Sequence, residues 1–139
     1  MIGRRKELPR ELEPAFRAFG VVVDAIEPAK AAVADVLPGT RLPGRPLRDA
    51  LAEYRAGIER AGRGMAAWRR PEVEDEWQAC AAGLHIAEVR ATALYGHEDD
   101  PEGFEALLGT VQGLIEPLDP FVTAAERFRS LRRRPRRSD

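Results

Sequence analysis

The chain has one cysteine, Cys80, so no internal disulfide can form and a reducing compartment is expected. No stretch approaches the roughly 18 apolar residues of a membrane span. The opening Met-Ile-Gly-Arg-Arg-Lys has no apolar core behind it, so no secretory signal is expected. A cytoplasmic protein without a membrane partner is the expectation. Alternation of apolar and polar residues never lasts long enough for a strand. A phosphate-binding glycine loop, a nucleophile elbow and a paired-cysteine metal motif are all missing, so no cofactor is expected. Lysine is scarce too: only Lys6 and Lys30 accompany the arginines, a bias that points to base composition rather than chemistry.

What the chain does have is helical periodicity. At 139 residues, 44% hydrophobic and 32% charged, it has the size and balance of one soluble domain. The first of two matched stripes is Leu47, Leu51, Tyr54, Ile58, Ala61, Met65 and Trp68; the second is Val73, Trp77, Cys80, Leu84, Ala87, Ala91 and Leu94. Both step by fours and threes, the period of one buried helix face. Pro71 stands where they meet, suited to the first turn of a new helix. The spacing predicts an antiparallel hairpin over 46–95. If Trp68 faces Val73, facing residues sum to about 142 at a 1.5 Å rise, which brings Arg55 to Glu88 and Glu59 to His85.

A helix beginning near Pro9 or Pro14 precedes the hairpin, with the stripe Leu12, Phe16, Phe19, Val23, Ile26, Val33 and Leu37. Pro28 deletes its bond to the Asp24 carbonyl and should kink this helix without ending it. Residues 37–46, with three prolines, read as a stiff crossover. After the hairpin, Gly96 suits a helix end, and Asp100-Pro101 suits a start. The last stripe is Phe104, Leu107, Val111, Leu114, Leu118, Phe121, Ala125 and Phe128, widened by Leu108, Ile115 and Val122. Pro117 and Pro120 interrupt it, and unbroken phase favours one kinked element over a break. Ile-Glu-Pro occurs at 26–28 and again at 115–117, each time after a glycine, Gly20 or Gly109. The expected fold is all-α, an up-down-up-down four-helix bundle over 9–131 with Pro-kinked first and last helices. A basic arm, 1–8, and a disordered Arg-rich tail, 132–139, flank it.

Candidate chemistry is sparse. Glu53, Glu59, His85 and Glu88 lie on the shoulders of the hairpin seam, where facing helices of a bundle can assemble carboxylate and histidine metal ligands. The same four residues also suit a rim of surface ion pairs. Cys80 belongs to the inner stripe and reads as an inert small hydrophobe. Arg90 and His97 form an Arg-x6-His spacing that resembles the Arg-x4–6-His motif of HEPN ribonucleases, which are helical bundles whose Arg and His cleave RNA across a dimer. Ala91 stands where that family often has a polar residue, and Glu98, Asp99 and Asp100 follow His97. The match covers two residues, and membership is not inferred from it. Arg132, Arg133, Arg134, Arg136 and Arg137 could contact the phosphates of a nucleic acid, though no aromatic interleaving supports them.

The net charge of −1 conceals three blocks. Residues 1–70 carry 14 basic and 9 acidic groups, residues 71–119 carry 1 and 12, and residues 120–139 carry 7 and 2. The acidic block repels nucleic acid and attracts the basic ones, in this chain or in another. The leading expectation is a non-catalytic bundle acting through protein–protein contacts, as a homodimer or with another helical protein. A nucleic-acid-associated protein using the arginine tail, and a metal-binding or HEPN-like enzyme, are the alternatives.

Overall fold

Proline sets where the helices start, because its missing N–H is harmless in a first turn. The computed structural model describes residues 7–39, 44–95 and 103–132. A 3₁₀ turn at Arg10–Leu12 leads into α1 (Glu13–Ala34), with Pro14 in its first turn. Pro46 precedes α2 (Leu47–Gly64), which tightens into a 3₁₀ turn at Met65–Trp68. Pro71 opens a further turn, Pro71–Val73, that becomes α3 (Glu74–Tyr95). The last unit is α4 (Phe104–Ile115), a 3₁₀ turn at Glu116–Leu118, and α5 (Pro120–Ser130). The result is an all-α four-helix arrangement, with no strand among the described residues. The expected helix end at Gly96, the start at Asp100-Pro101, the arm before Glu7 and the tail after Arg132 lie outside the described residues.

Every member of the first hairpin stripe is buried, from Leu47 to Trp68. In the second, Val73, Cys80, Leu84, Ala87 and Ala91 are buried, while Trp77 and Leu94 are partly covered. The hairpin is nevertheless not the tightest pairing. α2 packs more extensively along α1 than against α3. Small residues allow it: a Cβ added to Gly57 would lie 2.8 Å from both the Ala25 carbonyl oxygen and the Ala29 Cβ. The two helices run in opposite senses, since Gly57 meets Ala25 and Ala29, and Gly64 meets Val22. Along α1 and the turn before it, Leu12, Phe19, Ile26 and Val33 of the expected face are buried, and the difference lies at the remaining positions. Ala15, Val22 and Val36 are buried, whereas Phe16, Val23 and Leu37 pack at the margin.

Five of the nine aromatic residues gather at one end of the bundle. Phe19 lies 4.9 Å from Trp68 in an edge-on arrangement, 5.1 Å from Phe128 and 6.4 Å from Phe121, and Phe16 lies 5.4 Å from Phe128. These are favourable ring separations, and they join α1, the turn after α2, and α5.

The two internal prolines behave differently. Pro28 is exposed and α1 runs through it without interruption. Pro117 is buried, and there the α-helical pattern gives way to a 3₁₀ turn. The run from Phe104 to Ser130 is therefore two α-helices and not one. Pro117 has no N–H to offer the Gly113 carbonyl, its partner four residues back. Arg90 of α3 donates to that oxygen at 2.8 Å, and the Tyr54 hydroxyl of α2 donates to the neighbouring Leu114 carbonyl at 2.7 Å. Gly83 of α3 fits against the same bend, where an added Cβ would lie 2.1 Å from the Pro117 oxygen. Two members of the last stripe, Phe104 and Val122, are exposed and do not join the core.

These contacts make a paired test. Replacing Gly83 by Ala forces backbone apart and should cost about 2–3 kcal/mol, more than the helix propensity it gains. Gly62→Ala, in the same kind of helical backbone but with nothing within 4 Å of its added Cβ, should instead stabilise by up to about 1 kcal/mol. Urea unfolding of the two variants checks the opposite signs.

Candidate functional site

The four shoulder residues do not all come together: Glu59 and Glu88 line one groove between α2 and α3, and Glu53 and His85 do not. Glu53 pairs with Arg45 ahead of α2, and Glu59 pairs with Arg63 one turn further along α2 at 3.2 Å. His85 and Glu88 are exposed on α3. Among the described residues no three of His, Cys, Asp and Glu come close enough to hold a metal ion. The expected pairs Arg55–Glu88 and Glu59–His85 are also replaced. Arg55 lies over the Tyr95 ring, 4.8 Å from its centroid, and Glu59 keeps to its own helix.

Next to the turn, the Trp77 indole donates to the Met65 carbonyl at 2.8 Å, a facing sum of 142, as expected. At the far end the long Arg55 side chain reaches over Tyr95. Between these points α2 packs less extensively against α3 than against α1. A groove of about 390 Å³ opens there, lined by Arg55, Ile58, Glu59, Glu88 and Tyr95, among others. Its floor is apolar, its rim carries both signs of charge, and its one aromatic face is covered by Arg55.

The titratable groups tell the same story. None of the described charged side chains is buried. The strongly shifted groups belong to the core. Burial holds the Tyr54 phenol well above its ordinary 10.0, with the nearby Arg90 charge opposing weakly. Burial, aided by the Glu76 carboxylate, pushes the Cys80 thiol up to about 12, so Cys80 is an unreactive core residue at neutral pH. At the surface, Arg69 and Gln78 hold the Glu74 carboxyl below its ordinary value, and Arg69 also stacks on Trp77 at 4.0 Å. These contacts clamp the hairpin turn.

Two of the arginines singled out by the sequence, Arg90 and Arg132, have local partners. Arg90 is engaged at the Pro117 bend; His97 lies outside the described residues. Arg132 is half-buried with its guanidinium over Phe16, 5.1 Å from the centroid. Arg133, Arg134, Arg136 and Arg137 lie outside the described residues.

One feature escaped the sequence reading. On the side of α3 away from its buried stripe, Ala79, Ala82, Ile86, Val89 and Ala93 are all exposed. Val89 is 54% exposed and Ile86 42%. Their steps of three, four, three and four repeat the spacing of the inner stripe. They form a straight apolar seam about 21 Å long, with Gln78, His85 and Thr92 beside it. No described element covers it. The signal was legible as a second heptad stripe in phase opposition to the first, but the inner stripe, with its larger side chains, drew the assignment.

The raised Tyr54 and Cys80 values carry a pH signature. Both groups stay neutral in the folded chain, while the unfolded chain ionises them near 10.0 and 9.0. Their contribution is complete below about pH 9 and is lost as pH rises, by at most about 1.4 kcal/mol per pH unit per group. Denaturant unfolding at about pH 8 and about pH 10.5 should show this loss, and Tyr54→Phe should make it shallower. Phe at 54 also leaves the Leu114 carbonyl without its donor, at a cost of about 1–2 kcal/mol near neutral pH.

Helix α3 thus offers an extended apolar surface, and α2 and α3 offer a shallow mixed groove. No protein family, no curated protein and no solved structure matches this chain.

Proposed function

We propose that this protein is a non-catalytic helical bundle that works through protein–protein contacts and self-associates. The observation that carries the reading is the outer seam of α3. Isolated apolar residues on a surface are ordinary. Five in heptad register on one helix form a pattern that a helical partner recognises, each side chain filling a gap on the facing helix.

Charge supports the same reading. The seam contains no charged residue between Ala79 and Ala93, as the centre of an interface requires. Around it the chain is divided into basic, acidic and basic blocks, which steer copies of one molecule towards each other and weaken as salt rises. The core itself is complete, with Trp68, Tyr54 and Phe128 fully enclosed by their own chain. Association would then join folded units and not finish an unfinished one.

Sedimentation equilibrium and native mass spectrometry of the untagged full chain test the proposal. A mass above the 15.4 kDa of one chain, rising with concentration, is expected. A single-chain mass at every concentration, at low and at high salt, removes it.

A further inference from the structure

We propose that the groove between α2 and α3 binds a small zwitterion: a carboxylate and an ammonium group on a short apolar body, the chemistry of a free aliphatic amino acid. The site is separate from the outer seam of α3, and the proposal does not depend on self-association.

The groove holds about 390 Å³, near the lower end of the roughly 300–1,000 Å³ of small-molecule sites. Two helices line it at helical spacing: Ala52, Arg55, Ala56 and Glu59 come from α2, and Glu88 and Tyr95 from α3. Ala52, Ala56 and Tyr95 are exposed, so their methyl groups and ring give an apolar body something to cover. The three charged side chains fix what the ends of that body must be.

Arg55 and Glu88 carry opposite charges into one groove from facing helices. Yet neither forms an ion pair with the other or with any other described residue. The guanidinium of Arg55 is held instead over the Tyr95 ring, 4.8 Å from its centroid. That contact uses the face of the guanidinium. Its N–H donors lie in the plane and remain free for an acceptor.

The charges discriminate between ligands. A carboxylate pairs with the planar fork of Arg55. An ammonium pairs with Glu88, with Glu59 close by and shared with Arg63 at 3.2 Å. A simple amine leaves Arg55 without an acceptor and brings a second cation near it. A simple carboxylic acid meets two carboxylates of its own sign. A molecule carrying both groups satisfies Arg55 and Glu88 together, and like-charge contacts disfavour the other two.

The test titrates the full chain with L-leucine and follows the tyrosine ring resonances by NMR. Tyr95 should shift and saturate with a Kd on the order of 1 mM, modest because the charged partners stay partly solvated. Buried Tyr54, the second of the two tyrosines, should not move. N-acetyl-L-leucine, which lacks the ammonium, and L-leucinamide, which lacks the carboxylate, should each bind about tenfold more weakly. Glu88→Gln should weaken L-leucine about tenfold without weakening N-acetyl-L-leucine, and Arg55→Gln should do the same with L-leucinamide as the insensitive compound. Both side chains reach solvent, so each variant should keep its helical circular dichroism. No saturable shift of Tyr95 by about 20 mM L-leucine overturns the proposal. Equal affinity for the three compounds, or wild-type affinity in Glu88→Gln, overturns it as well. None of these outcomes bears on the subunit mass, which tests self-association separately.

Discussion

The bend at Pro117 is the constraint on which the packing of three helices depends. A proline inside a helix leaves one carbonyl without its N–H, and a buried orphan of that kind costs about 1–3 kcal/mol unless another donor reaches it. Here the Gly113 oxygen is met by Arg90 from α3, and the adjacent Leu114 oxygen is met by Tyr54 from α2. Each bond fixes a helix against the bend at a chosen height. Gly83 completes the fit by letting α3 approach the Pro117 backbone closely. The interruption is thus a docking point, and its two donors have little freedom to serve any other role. Arg90 in particular is committed first to structure.

The comparison with Pro28 shows which part of this was legible beforehand. Both prolines follow Ile-Glu, and the two tripeptides look alike in sequence. In α1 it is Ile26 that faces the core and Pro28 that faces outward, so the freed Asp24 carbonyl lies on the solvent side, where water can satisfy it. In the last unit the frame is turned: Pro117 is buried and Ile115 lies at the margin. Local sequence names the missing hydrogen bond, but which way it points depends on tertiary rotation. Periodicity alone therefore located both prolines and could not say that only one would break the α-helical ladder.

The same limit explains the hairpin. Its stripes were read correctly because large apolar residues at helical spacing leave few alternatives: all seven residues from Leu47 to Trp68 are buried. Its register is marked near the turn, where Trp77 reaches Met65. Further along, the small residues Gly57, Ala25 and Ala29 draw α2 towards α1, and α3 is left at a distance. Small residues carry a weak signal in a hydrophobic pattern, yet they decide how closely backbones can approach. Of the candidate quartet, Glu59 and Glu88 come to one groove, while Glu53 pairs with Arg45 and His85 stays outside that groove.

Helix α3 carries the remaining consequence. An amphipathic surface helix normally turns polar residues outward. This one has apolar positions on two opposed faces, and only the inner face is used by its own chain. Covering the outer face with alanine, isoleucine and valine gains nothing for the isolated bundle, because those side chains remain in water. Ala79, Ala82 and Ala93 are good helix formers and need no further explanation on their own. Ile86 and Val89 do, since β-branched residues are slightly unfavourable in a helix and are worse placed in solvent. They stand three residues apart at the middle of the seam, where a facing helix would enclose them most fully. Phe104 and Val122 are as exposed, but Leu108 and Ile115, at helical spacing between them, are half covered, so the exposed surface there is not continuous. Period, length and the placement of the two branched side chains together separate the outer face of α3 from the rest of the surface, and they make an α-helix its natural complement.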